Sequence, residues 1–178
     1  MINIQSNCST PQKNIVIVGQ GAIGLLYYHH FVTANQNVSL KTSPQKNNKQ
    51  VSAYSFFTYG SFNEITLPLK QANSRDLEDA DIIILCVKSY QVRQAVLELH
   101  QMVNANCLIV LAHNGMGVYE KIKNLFSCEQ PVLALLTTHG SVRLSPYKVK
   151  HTGLGSTDIG LLSGSLSDDK VKEVTGVF

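Results

Sequence analysis

One six-residue stretch constrains this chain more than any other: Gly19-Gln20-Gly21-Ala22-Ile23-Gly24. It follows a short apolar run, Asn14 to Val18 (NIVIV), and opens an apolar and aromatic stretch from Ala22 to about Ala34. A G-x-G-x-x-G spacing is common, but strand, glycine turn and helix in that order give it physical meaning. The first glycine permits a tight turn. The second leaves no Cβ in the way of an approaching group, and the third lets the helix pack close to its strand. Amides of the first helical turn lack acceptors inside the helix and attract an anion. The reading is a dinucleotide pyrophosphate turn built by Gly19, Gln20, Gly21, Ala22, Ile23 and Gly24. The bland alternative is a glycine turn with no ligand.

Further along, apolar runs alternate with helical spacing. Val38 to Leu40 begins a second strand, and Lys41 to Gln50, with Pro44, reads as a loop or a poor helix. Val51 to Tyr59 and Glu64 to Leu69 read as an antiparallel excursion around Gly60 and Asn63. Ile82 to Val87, Cys107 to Leu111 and Pro131 to Thr137 lack polar alternation, as strands covered on both faces do. Tyr90 to Met102 has helical spacing, and a short helix is expected before Pro131. Tyr147 to Thr152 and Thr157 to Leu162 read as antiparallel edge strands. The expected fold is α/β: a Rossmann-like, mainly parallel sheet with helices on both faces and antiparallel additions near the C-terminal end. Residues 1–13 read as a flexible leader and 14–163 as the nucleotide-binding domain. Residues 164–178 read as the start of a helical C-terminal domain that is otherwise absent; Lys170 and Lys172 there read as helix surface.

Composition narrows the partners. The formal charge of +3, with no Lys/Arg run and no Trp, lacks the basic groove and aromatic platforms of a nucleic-acid binder. No apolar run reaches membrane-span length, and no signal peptide stands at the start, so a cytoplasmic location is the default expectation. The four cysteines, Cys8, Cys86, Cys107 and Cys128, form no close pair. Cys86 and Cys107 read as small core hydrophobes. The histidines lack metal-site spacing, so no metal is expected.

Ligands of open α/β sheets gather beyond the carboxyl ends of the strands. After the second strand, an NAD site normally offers an acid for the ribose 2′-hydroxyl. This chain offers Lys41-Thr42-Ser43 instead, a charge and two hydroxyls suited to a 2′-phosphate. NADP (NADPH) is therefore the expected cofactor. Lys88 follows a fully apolar strand and can reach a cofactor or an acidic substrate; Gln91 is balanced between site and surface. Asn114 both donates and accepts, which suits a ribose or nicotinamide edge, and Gly115 allows close backbone approach. His113 and His139 read more readily as packed neutral rings than as catalytic groups, and Thr138 is a further residue at a strand end.

Taken together, GQGAIG, ILCVKSYQ, LAHNGMG, TTHG and HTGLGSTDIG resemble the 2-dehydropantoate 2-reductase (ketopantoate reductase) family over nearly all of residues 14–163. The lysine together with Asn-Gly-x-Gly is far more specific than the glycine turn. The resemblance implies that the turn holds the NADPH pyrophosphate. It also implies that Lys88 and Asn114 lie in the cleft for cofactor and substrate, a small 2-keto acid. The chain departs from the family where Gln more often precedes Asn-Gly (here His113), and where an arginine is common near the end of the second strand (here Lys41). In the family a helical second domain supplies the general acid, so no catalytic residue is assigned here, and the chain alone is expected to be inactive or nearly so. Reduction of another 2-keto acid and a non-catalytic nucleotide-sensing module are the alternatives.

Overall fold

The computed structural model describes residues 12–42, 51–113, 117–127 and 129–167. Its main sheet has six strands: β1 (Asn14–Val18), β2 (Asn37–Lys41), β5 (Ile82–Leu85), β6 (Leu108–Ala112), β7 (Val132–Thr137) and β10 (Thr157–Ser163). Their order is β10-β7-β6-β5-β1-β2. All neighbours run parallel except β10, which lies antiparallel to β7 at one edge. The unbroken apolar runs follow from burial on both faces. Ile15, Ile17, Ile82, Ile84, Leu108 and Val110 enter one core, and Val16, Val18, Ile83, Leu85, Ile109 and Leu111 enter the other. Strand geometry dictates this alternation.

Helices cover both faces. The helix α1 (Ala22–Thr33) belongs to the first core. Two more, α2 (Ser74–Glu78) and α3 (Val92–Leu99), contribute Leu77, Val92, Val96 and Leu99 to the second. The helix α2 was not anticipated. Its start is signalled locally, because the Asn73 side chain accepts from the Asp76 amide and the Asp76 carboxylate accepts from the Asn73 amide. The helix expected before Pro131 is two single 3₁₀ turns, Tyr119–Lys121 and Lys123–Leu125.

The largest departure from expectation is a second sheet. The strands β3 (Ala53–Phe57), β4 (Glu64–Pro68), β8 (Gly140–Ser145) and β9 (Lys148–Gly153) form it, in the order β4-β3-β9-β8. The β3/β4 hairpin is antiparallel as expected. The strand β9 is interior rather than an edge, parallel to β3 and antiparallel to β8. The physical reason lies in α1, whose Leu25, Tyr28 and Phe31 share one core with Tyr54, Phe56 and Val149 of this sheet and with Tyr147 in the β8–β9 turn. A helix apolar around most of its circumference needs cover on two sides. Residues 164–167 are described without helix, and the rest of the segment read as a helix start lies outside the described residues.

Candidate functional site

The chain leaves β1 toward β2, then returns to β5 on the other side of β1. The loops after β1 and β5 therefore diverge, which opens a crevice at a topological switch point. Gly19 follows β1 with φ +114, a conformation that favours glycine, and its amide donates to the Lys41 carbonyl at 3.0 Å. Gly24 lies against Gly19. An added Cβ would stand 2.1 Å from the Gly19 carbonyl oxygen and 3.3 Å from the Cys86 Cβ. Gly21 caps α1 without a side-chain hydrogen bond, and the Leu25 amide donates to its carbonyl at 3.0 Å. A Cβ on Gly21 would meet only the Cys86 carbonyl, at 3.7 Å. Its absence keeps that side of the turn open.

A cavity of about 410 Å³ lies on this turn, lined by Gly19, Gln20, Gly21, Ala22, Cys86, Val87, Lys88, Gln91 and Arg143. A neighbouring cavity of about 240 Å³ shares Gly19, Val87 and Gln91 and adds Lys41 and Thr42 from the end of β2. The larger falls within the size range of small-molecule sites, and the smaller extends that cavity. The structure thus brings Gly19, Gln20, Gly21, Ala22 and Lys88 together, with Lys41 and Thr42 next door. Ile23 instead packs against the core, and Gly24 is buried beneath the turn. Ser43, Asn114 and Gly115 lie outside the described residues.

Lys88 is exposed, and its loop is braced twice. The Gln91 side-chain carbonyl accepts from the Lys88 amide at 3.2 Å. His113 Nε2 donates to the Val87 carbonyl at 2.8 Å. Burial lowers the pKa of His113, while its bond to Val87 opposes this; the ring is neutral at pH 7 with its proton on Nε2. Among the described residues the buried His113 Nδ1 has no hydrogen-bond partner. The ring therefore shapes the loop that carries Lys88. Cys86 lies against the turn, partly buried at the wall of the larger cavity, and desolvation pushes its thiol up to about 12. Cys107 is fully buried; Cys8 and Cys128 lie outside the described residues.

At the end of β2, no acid stands beside Lys41 and Thr42. The acid that does line the second cavity is Glu98 on α3, and its Oε1 accepts from Gln94 Nε2 at 3.1 Å. Two strand-end residues, Thr138 and His139, line neither cavity. Thr138 Oγ1 accepts from the Ser156 amide at 2.8 Å, and His139 Nδ1 lies 3.1 Å from His151 Nε2. Sequence reasoning missed Arg143. It comes from the second sheet, and its Nη1 donates to the Gln20 carbonyl at 3.2 Å. No local signal marks it, because the contact joins residues 123 apart.

Among the described residues no group of three metal-ligating side chains converges, and no helix is long and apolar enough to cross a membrane. A further cavity of about 170 Å³, between α3 and the loop after β6, is lined mainly by apolar residues such as Leu85, Leu99, Ile109 and Phe126. It lacks the converging cations of the glycine-turn crevice.

The family model for ketopantoate reductase PanE/ApbA matches residues 15–164. This chain belongs to that family. A 2-dehydropantoate 2-reductase of Vibrio cholerae is 32% identical over 147 residues, covering 83% of this chain and 47% of that protein. Another, from Aquifex aeolicus, is 27% identical over 170 residues, covering 92% and 51%. The chain thus spans about half the length of these ketopantoate reductases. The crystal structure of 2-dehydropantoate 2-reductase from Geobacter metallireducens superposes with a TM-score of 0.75 at 21% identity, over 92% of this chain and 54% of that one. D-mandelate dehydrogenase in a ternary structure with NADH and anilino(oxo)acetate superposes equally well, with a TM-score of 0.75 at 19% identity over 92% and 54%. At such identities these two structures share the ketopantoate reductase fold with this chain.

Proposed function

We propose that this chain forms the NADPH-binding half of a 2-dehydropantoate 2-reductase. In this reading residues 14–163 are the nucleotide domain, and a helical region follows it. The observation that carries the reading is the crevice at the switch point, where Gly19 to Ala22 and Lys88 line one cavity. The residues fit a dinucleotide: Gly21 leaves room a Cβ would fill, and the adjoining cavity carries Lys41 and Thr42. Gly19 to Gly24 hold the diphosphate through backbone amides, aided by the dipole of α1. Lys41, Thr42 and Ser43 would receive the 2′-phosphate, and Asn114 and Gly115 are assigned to the nicotinamide ribose.

When bound, NADPH supplies a hydride from C4 of its nicotinamide to the C2 keto carbon of the acid. Lys88 and Asn114 would orient the keto acid for that transfer. The Lys88 ammonium attracts the substrate carboxylate, and His113 and Gln91 fix the loop that aims it. The carbonyl oxygen gains negative charge and needs a proton donor. No catalytic residue of this chain is assigned to that task, and the following helical region supplies it. The 178-residue chain alone therefore reduces 2-dehydropantoate at background rate.

The substrate has a second reading, another 2-keto acid, because the fold alone is shared with a mandelate dehydrogenase. A non-catalytic nucleotide sensor is the reading from a different class; it requires dinucleotide binding without turnover. The cofactor also has a second reading. Glu98 lines the same cavity as Lys41 and could receive a ribose hydroxyl, which would favour NADH. Titration of the chain with NADPH and NADH separates the cofactors; tighter NADH binding refutes the NADPH assignment. Assay of the chain extended by its following region, with NADPH and a panel of 2-keto acids, tests the substrate. No turnover of any keto acid would favour the sensor.

A further inference from the structure

We propose that Arg143 is a cation for the cofactor diphosphate, delivered to the glycine turn from the separate four-stranded sheet. This rests on the nucleotide-binding reading above. Three observations point the same way. Arg143 lines the cavity formed by Gly19 to Ala22 and Lys88. Its Nη1 donates to the Gln20 carbonyl at 3.2 Å, which holds the guanidinium over the turn, and no ion pair to Arg143 is present among the described residues. The register of β8 against β9 also shifts between Arg143 and Ser145. Such irregularities re-aim side chains at strand edges, and β8 is the edge of its sheet.

The chemistry favours the diphosphate over other anions in the crevice. Arg143 bonds to the carbonyl of Gln20, the residue between the turn's first two glycines. The 2′-phosphate side carries Lys41 and Thr42 in the neighbouring cavity, which Arg143 does not line. A guanidinium offers five donors in a planar fork, so one can remain on Gln20 while others face phosphate oxygens. Two cations from different sheets then flank the turn: Lys88 from the loop after β5 and Arg143 from β8. Closure of the anion site depends on how the small sheet sits on α1.

The test uses the chain with R143A, R143Q and R143K, thermal unfolding serving as the folding control. Four probes are titrated: NADPH, NADH, inorganic pyrophosphate and adenosine 2′-monophosphate. R143A is expected to weaken NADPH and NADH by the same factor, about 10- to 100-fold for loss of charge-assisted hydrogen bonds. Inorganic pyrophosphate should weaken in parallel, adenosine 2′-monophosphate should not, and R143K should recover part of the loss. R143Q keeps a donor for Gln20 but not the charge, so it should behave like R143A. Wild-type affinity in R143Q would mean that Arg143 only ties β8 to the turn, and would overturn the assignment. Weakening of NADPH without NADH would overturn it too, by moving the arginine to the 2′-phosphate. Wild-type chain that binds neither dinucleotide would remove the nucleotide-binding reading itself, and this assignment with it. Normal wild-type binding with an unaffected R143A would overturn this assignment alone.

Discussion

Gly24 and Gly21 sit three residues apart in one motif, yet the structure gives them separable jobs, and two alanine variants separate them. In Gly24→Ala the new Cβ would lie 2.1 Å from the Gly19 carbonyl oxygen, where ordinary contact begins near 3.4 Å. Relief requires α1 to move from the turn by roughly 1.3 Å, the difference between those separations. The helix cannot do so freely, because Leu25, Leu26, Tyr28 and Phe31 are buried beside it. Overpacking of this kind costs about 2–3 kcal/mol, only partly offset by the better helix propensity of alanine. For a chain of this size that corresponds to a fall in Tm of about 4–10 °C. In Gly21→Ala the Cβ meets only the Cys86 carbonyl at 3.7 Å, and φ is −74°, which any residue adopts. Stability should change by less than about 1 kcal/mol. The methyl enters the crevice, however, and NADPH affinity should fall at least about 10-fold through lost close approach. Thermal unfolding and NADPH titration of both variants check the pair. An undiminished Tm in G24A, or unchanged NADPH affinity in G21A, would refute the assignment of roles.

Other expectations are as specific. Lys41→Ala should weaken NADPH about 10-fold, the size of one charge-assisted contact, and leave NADH nearly unchanged; equal losses would count against a 2′-phosphate role. His29 stacks on Phe56 at 3.6 Å, and its Nδ1 lies 3.0 Å from the Tyr54 hydroxyl. Burial first, then His30 on α1 and His151 on β9, lower its pKa from 6.5 to about 4. Since the folded state holds the proton less tightly than the unfolded one, this stability is fully present above pH 6.5. It should be lost progressively as pH falls to 4, by roughly 2–3 kcal/mol. Urea unfolding at pH 7.5 and 4.5 measures the loss, and H29Q should shrink it; an identical loss in the variant would exclude His29. Finally, the partly buried Cys86, its thiol pushed up by desolvation, should label far more slowly with a thiol reagent in the native chain than after denaturation; equal rates would contradict that environment.

The main sheet was legible because its strands are buried on both faces, which leaves unbroken runs such as Ile82 to Leu85. The glycine turn was legible because its geometry is local. Gly19 and Gly24 touch across five residues of chain. The second sheet was not legible, since the pairing of Ser55 with Lys148 joins distant segments, and Gly140 to Ser145 carries little burial to mark it as a strand. The same distance hid Arg143. The bracing role of His113 depends on the position of the Val87 carbonyl on an adjacent strand end, which no spacing along the chain encodes.

The most direct test is a backbone-amide NMR titration of the chain with NADPH. The expected result is saturable binding in which the amides of Gly19 to Gly24, Lys41 and Lys88 shift together. Absence of saturable binding would contradict the account. So would shifts confined to the apolar cavity around Leu99, Val103 and Gln130, with the glycine turn unmoved.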